Sequence, residues 1–136
     1  MSAQRSAGIK PNAPAMKRFS PPVLAQIEKT KYLYIRSGKH RYIAIWVVVV
    51  NGRVMVRSWN DKPSGWYRAF LSDPLGHIRF DEHEVPVRAV PVRNARLNDG
   101  ADEAFAVKYT SKGNLKYVEG FQLARRKATT LELVPA

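Results

Sequence analysis

A valine-rich apolar run that ends in the dipeptide Asn51-Gly52 constrains the fold more than any other feature of the sequence. Both positions tolerate positive φ, and Asn-Gly between two apolar segments is the strongest two-residue signal for a β-hairpin. We therefore predict a strand over 42–50 with apolar side chains on both faces, paired with an antiparallel strand over 53–59.

Other segments of the chain carry further β and helical patterns. The predicted strands are 32–36, 77–81, 85–92 and 129–134, and the predicted helices are 21–29, 64–72 and 98–111. Segment 113–127 is ambiguous and fits a short helix. This succession predicts a mainly β (α+β) fold, an antiparallel barrel with short peripheral helices, rather than a parallel α/β sheet. The first three strands are expected to form a meander.

Two local patterns refine this arrangement. Pro86 and Pro91 have no N–H to donate to a central ladder, so they place the strand over 85–92 at a sheet edge or beside bulges. The helix over 64–72 is expected to pack its large apolar residues against the sheet. These residues are Trp66, Phe70 and Leu71.

Length and composition set the remaining bounds. The chain has 136 residues, which predicts one domain, and no cysteine, which excludes disulfide frameworks and thiolate metal sites. The longest aliphatic and tryptophan run, over 43–50, has eight residues, too few to cross a bilayer, and we expect a cytoplasmic location without a membrane partner. Residues 1–20 hold four basic groups and no acid. We predict a disordered basic tail there, followed by a single domain over 21–136.

The net charge of +12 is concentrated in one window of the predicted domain. Residues 31–68 hold eight basic residues and one acid, whereas 81–103 hold six acids and three arginines. Because consecutive antiparallel strands alternate in direction, the first turn and the exit of the third strand are expected at one sheet end. Guanidinium and hydroxyl groups there suit a phosphate. Trp59, Trp66 and Tyr67 offer planar surfaces for a conjugated ring.

Three motifs follow in order along the chain: IRSGKHR at 35–41, VRSW at 56–59 and GWYRAFLSDP at 65–74. With them the sequence resembles an uncharacterised bacterial domain-of-unknown-function family. That family is similar to the deazaflavin-dependent nitroreductases and, more distantly, to the pyridoxamine-phosphate oxidases. The resemblance implies a flavin-binding split β-barrel, a homodimer and a phosphate-bearing cofactor, FMN or a deazaflavin. It also raises oxidoreductase activity by cofactor hydride transfer as an expectation.

The same resemblance implies which residues hold the cofactor. By motif position they are Arg36, Ser37, Lys39, Arg41, Arg57, Ser58, Trp59, Asn60, Trp66 and Tyr67. No catalytic residue is indicated, because the cofactor itself carries out the hydride transfer.

Two other functions fit the same sequence. The positive charge and the aromatic residues on strands also fit a small β-barrel that binds nucleic acid, with a steep salt dependence. A split barrel without a cofactor, serving as a structural or small-ligand module, is the third hypothesis. His83 lies among carboxylates, but its spacing to them is not diagnostic of a metal site, and we predict none.

Overall fold

Seven antiparallel strands form one sheet in the order β2-β1-β5-β6-β7-β4-β3. The structure is a computed structural model that describes residues 17–136. The strands are β1 (Leu33–Ser37), β2 (Ile43–Ile45), β3 (Val48–Val50), β4 (Arg53–Val56), β5 (Leu75–Phe80), β6 (His83–Pro91) and β7 (Leu131–Pro135). The helices are α1 (Pro21–Lys29), α2 (Trp66–Ser72), α3 (Ala95–Lys108), α4 (Leu115–Gly120) and α5 (Ala124–Lys127).

The predicted hairpin at Asn51-Gly52 is confirmed, and so is the mainly antiparallel architecture. Val50 pairs with Arg53, and the two turn residues have φ values of 52° and 76°, the left-handed conformation that this turn requires.

The single strand predicted over 42–50, and with it the three-stranded meander, is wrong. This segment forms two strands, and they occupy opposite edges of the sheet: among residues 17–136, β2 pairs only with β1, and β3 only with β4. The chain therefore passes from one edge to the other within two residues, Trp46 and Val47, and the sheet curls into a half-open barrel.

The physical reason lies at Val47, whose backbone groups bond to side chains instead of a neighbouring strand. The Tyr109 hydroxyl accepts from Val47 N–H at 3.0 Å and lies 3.1 Å from its carbonyl oxygen and 2.7 Å from that of Lys31. Lys108 Nζ donates to the same Val47 carbonyl at 2.8 Å. Since buried backbone groups must be paired, the hydrogen bonds from these two residues allow the chain to cross inside the protein.

Two clusters of buried side chains lie on the two faces of the curled sheet. The cluster inside the curl joins β-strand residues such as Leu33, Val56 and Ile78 to Ile27 of α1 and Phe70 of α2. The outer cluster packs α3 and α4 on β3 and β4. Both faces at this end of the sheet are thus covered, as the apolar run predicts.

The edge position predicted for 85–92 is wrong, because β6 lies in the middle of the sheet between β5 and β7. The two prolines fall at the limits of the β6–β7 ladder. Pro91 forms its last pair, with Leu131, and Pro86 directly precedes its first, between Val87 and Pro135. A proline at either limit leaves the interior of the ladder intact.

Three other predictions about helices and core have mixed outcomes. Trp66 and Phe70 are buried as predicted, but Leu71 is 45 % exposed, because α2 has only one buried face. Helix α3 begins at Ala95 rather than Asn98, since the Asn94 side chain caps it by accepting from Leu97 N–H. The ambiguous segment 113–127 contains two short helices.

The packed part of the chain begins before the predicted boundary at residue 21. Phe19 is buried in the inner cluster, and Arg18 donates to the carbonyl of Asn51 at 3.1 Å. The rest of the predicted disordered tail, residues 1–16, lies outside the described residues.

Replacing Tyr109 with phenylalanine tests the crossing. The variant keeps the ring but leaves the Val47 N–H without its partner, so the free energy of unfolding should fall by about 1–3 kcal/mol. Urea unfolding measures it. The matched control is Tyr67→Phe, whose hydroxyl lies 3.5 Å from its partner and should cost much less. Equal losses in the two variants would contradict this role for Tyr109.

Lys108 gives the same crossing a pH dependence. Burial lowers the pKa of Lys108 to about 8, whereas the unfolded chain keeps a lysine pKa near 10.4. Between these values the unfolded state binds more protons, so stability should rise with pH from about 8 to 10. Relative to wild type, Lys108→Met should flatten this rise in urea unfolding at successive pH values. Parallel curves would show that Lys108 keeps its proton.

Candidate functional site

A cleft of about 740 Å³ opens where the barrel fails to close. It is lined by the edge strand β2, which among residues 17–136 has a strand partner on one side only. The segment that leaves the sheet after β4, residues 57–62, and α4 also line it. An unpaired strand edge offers backbone N–H and C=O groups to whatever enters. Ligand clefts of this size, about 300–1,000 Å³, are typical of proteins.

One wall of the cleft is aromatic. Trp46 stacks on Tyr109 with ring centroids 3.9 Å apart and meets Tyr117 and Phe121 edge-on at 6.1 and 5.9 Å. Such edge-to-face and offset contacts rigidify a cluster of rings. Trp46 therefore links the site to the crossing, because the Tyr109 that supports its ring also holds the backbone of Val47.

Trp59 completes this wall and is fixed from several sides. The Arg126 guanidinium lies 3.6 Å from the centroid of the indole, and its Nε donates to the Trp59 carbonyl at 2.9 Å. Tyr117 and Phe121 meet the indole edge-on at 5.1 and 5.4 Å. A Cβ at position 120 would lie 2.3 Å from the ring, so this approach requires Gly120. The indole is thus held in one position.

The other wall is polar and is built by the loop between β4 and α2. Asp61 adopts a φ of 49°, its N–H donates to Ser58 Oγ, and its carboxylate binds Arg68 through both oxygens at 2.7 and 2.9 Å. The ring of His40 lies between the carbonyl oxygens of Arg41 and Ser64, 3.1 Å from each. These contacts connect the β1–β2 turn to the loop.

Exposed charge at this wall is positive. Arg41 and Lys62 are exposed and line the cleft, whereas the Asp61 carboxylate is already paired with Arg68. Asn60 and Ser64 add exposed polar side chains between them. Charge-assisted hydrogen bonds from such groups are the usual means of holding a phosphate or carboxylate.

The cleft brings together six of the ten sequence-predicted site residues. These are Arg41, Arg57, Ser58, Trp59, Asn60 and Trp66. Arg41 and Asn60 are exposed, Trp59 is half-buried, and the other three are buried in its floor.

The remaining four predicted residues lie elsewhere. Ser37 is buried, and its Oγ lies 3.0 and 2.7 Å from the Ala69 and Asp73 carbonyl oxygens. Tyr67 packs against the inner cluster. Lys39 is exposed in the β1–β2 turn. The remaining residue, Arg36, points from β1 to the outer side of the sheet, opposite to the neighbouring buried residues.

Arg57 is buried beneath the cleft, and the protein itself uses all five of its N–H donors. Nε donates to Thr130 Oγ1, Nη1 to Asp102 and the Phe121 carbonyl, and Nη2 to the carbonyl and side-chain oxygens of Asn98. Burial lowers the pKa of the Arg57 guanidinium, while its hydrogen bond to Asp102 opposes that shift. With no donor left over, Arg57 ties β4 to α3, α4 and β7.

Sequence reasoning missed much of the aromatic wall. Trp46 falls in the strand predicted over 42–50 with apolar residues on both faces, and Tyr117 and Phe121 fall in 113–127, where the pattern is ambiguous. Their i,i+4 spacing was the available signal, since it places both rings on one face of a helix.

Between residues 17 and 136, no helix is long and apolar enough to cross a membrane. Across the same residues, no three histidine or carboxylate side chains are grouped as metal ligands.

Replacing Arg57 with methionine tests its structural role. The change keeps an apolar stem but leaves the buried oxygens of Thr130, Phe121 and Asn98 without their donor, while Asp102 keeps its pair with Lys127. The free energy of unfolding should therefore fall by about 3 kcal/mol or more. The control is Arg68→Met, which removes the exposed pair with Asp61 and should cost less than about 1 kcal/mol. Chemical unfolding of both variants measures these changes. Similar small decreases in the free energy of unfolding would show that the fold does not depend on Arg57.

Residues 23–133 match the model of a family described as an uncharacterized protein conserved in bacteria (DUF2255). Among solved structures, the crystal structure of the conserved hypothetical protein Rv2991 from Mycobacterium tuberculosis is similar, with a TM-score of 0.56 at 10 % identity. The similarity covers 93 % of this chain and 85 % of that one, and it concerns the fold alone. No curated protein matches the sequence.

Proposed function

The chain belongs to the bacterial DUF2255 family, and from the geometry of its cleft we propose that it binds a flavin or deazaflavin in the manner of the flavin-binding split barrels. The observation that carries the proposal is that a single cleft is lined both by aromatic rings and by exposed cations with polar groups. A ring system that carries a phosphate needs both surfaces within one cavity.

The residues present fit such a group. Trp46, Trp59 and Tyr117 form a rigid apolar wall, to which a conjugated ring can pack at little entropic cost. Arg41 and Lys62 line the same cleft and are exposed, so they could bind a phosphate without burying its charge. Arg57 shapes the floor in this proposal and contributes no donor to the ligand.

The protein's own residues bind, orient and shield the ring. The aromatic wall keeps water from one side of it, and the free edge of β2 offers backbone hydrogen bonds to its polar rim. A flavin or deazaflavin supplies hydride transfer when bound, which makes the protein a candidate oxidoreductase.

A second copy of the chain is part of the proposal. Tyr32 and Tyr117 line the cleft while remaining 47 % and 39 % exposed. Large rings in such a position are the residues that protein interfaces favour. A homodimer that covers the mouth of the cleft would bury them and shield the cofactor from solvent.

Titration with FMN and with a deazaflavin mononucleotide, followed by fluorescence, tests the proposal. We expect micromolar or tighter binding to one of them, and the purified protein to be yellow where that cofactor is retained. The double variant Arg41→Ala/Lys62→Ala should bind about tenfold more weakly or worse, because it loses two charge-assisted contacts. Sedimentation of the same samples should give the mass of a dimer.

The matched control is Arg93→Ala/Arg96→Ala, which removes the same charge from exposed positions outside the cleft and should leave affinity unchanged. Absence of binding to both cofactors would overturn the proposal and favour a structural or small-ligand module. Equal weakening in the two double variants would place the ligand elsewhere.

A further inference from the structure

A second surface, on the other end of the sheet, is left open by the helices. We call it the outer face: the outward-pointing residues of β2, β1, β5 and β6, together with Tyr42, which directly precedes β2. They are Tyr34, Arg36, Tyr42, Ala44, Leu75, His77, Arg79, Glu84, Pro86 and Arg88. Helices α3 and α4 cover only the β3–β4 end. In the outer face every side chain is exposed or half-exposed.

Arginines and tyrosines of the outer face are organised rather than scattered. The guanidinium groups of Arg36 and Arg79 lie 4.6 and 4.4 Å from the centroid of the Tyr42 ring, and Arg79 lies 5.8 Å from that of Tyr34. Such cation–π contacts hold a guanidinium in place on the surface of the sheet. The Tyr42 hydroxyl donates to Glu84.

The positive charge of this cluster is only partly balanced. Glu84 is the single carboxylate of the outer face, and its contact with Arg36 is long, 3.8 Å between Nη2 and Oε2. The hydrogen bond from Tyr42 lowers the pKa of Glu84, so it remains charged. Within the described part of the chain, Arg36 Nε and His77 Nδ1 are buried beneath this face without a hydrogen-bond partner. Three arginines against one carboxylate leave an excess of positive charge.

This excess decides which partner the outer face fits. A second copy packed face to face would bring the arginines of one copy against those of the other, which costs binding energy. A polyanion gains from the same charges. Tyr34 is 44 % exposed on a central position of the face, where its ring can stack on a base. Exposed aromatic rings among arginines on an open sheet are what single-stranded nucleic acid requires.

We propose that the outer face binds single-stranded nucleic acid, with Arg36, Arg79 and Arg88 on the phosphates and Tyr34 stacked on a base. This function is independent of the cofactor cleft, since none of these four residues lines it.

Fluorescence anisotropy with a labelled oligo-uridine and oligo-thymidine tests the proposal on the full chain. Binding should be measurable at about 50 mM salt and weaken steeply by about 200 mM. Arg36→Gln/Arg79→Gln should reduce affinity about tenfold or more, whereas the equally discharged control Arg93→Gln/Arg96→Gln should stay within about twofold. Tyr34→Ala leaves the charge unchanged and should still cost about fivefold or more, because stacking is lost.

Three results would overturn the proposal, provided that circular dichroism shows the variants folded. One is no binding of either oligonucleotide at low salt. Another is equal loss in the outer-face and control variants with no effect of Tyr34→Ala, which indicates nonspecific attraction to a basic protein. The third is a shift from dimer to monomer in the outer-face variants, which assigns the surface to self-association. If the glutamine variants do not fold, Tyr34→Ala and Arg88→Gln decide by the same criteria.

Discussion

The structure depends on how two backbone groups of Val47 are satisfied. At this residue the chain leaves one edge of the sheet and joins the other, so neither edge offers its N–H and C=O a partner. The Tyr109 hydroxyl and the Lys108 ammonium group take that place from the end of α3. Burial raises the pKa of Tyr109 to about 12, so the hydroxyl keeps the proton that it donates. Leaving one buried backbone group unpaired would cost a sizeable share of a domain's free energy of unfolding.

The same crossing creates the cleft. Because β2 and β3 take opposite edges, β2 keeps one side without a strand partner, and the segment after β4 diverges from it. Trp46, the other residue of the crossing, stacks on the ring of Tyr109 and becomes part of the aromatic wall. One tyrosine therefore affects both the path of the chain and the shape of the site. The Tyr109 hydroxyl pairs with the backbone of Val47 at the crossing, and the Tyr109 ring supports Trp46 in the cleft.

Local features of the sequence predicted the local parts of this structure. The Asn51-Gly52 turn, most strand and helix positions and the burial of Trp66 depend on neighbouring residues and were confirmed. The crossing could not be predicted from the sequence, because Tyr109, which pairs with the backbone of Val47, lies 62 residues away along the chain. The hydrogen bonds of Arg57 could not be predicted for a related reason: its partners lie in α3, after α4 and before β7, and a single sequence does not show that they converge. The aromatic wall likewise needs α4 to fold over the cleft.

The central claim is that the opening beside β2 is a site for a ring cofactor. Amide and indole NMR spectra of the ¹⁵N-labelled protein, recorded as FMN or a deazaflavin mononucleotide is added, test it most directly. We predict saturable shifts confined to residues 40–46, 57–66 and 114–121, including the indole signals of Trp46 and Trp59, while the amides of Tyr34 and Arg79 stay in place. Unchanged spectra with both compounds, or shifts centred on Tyr34 and Arg79, would contradict the account.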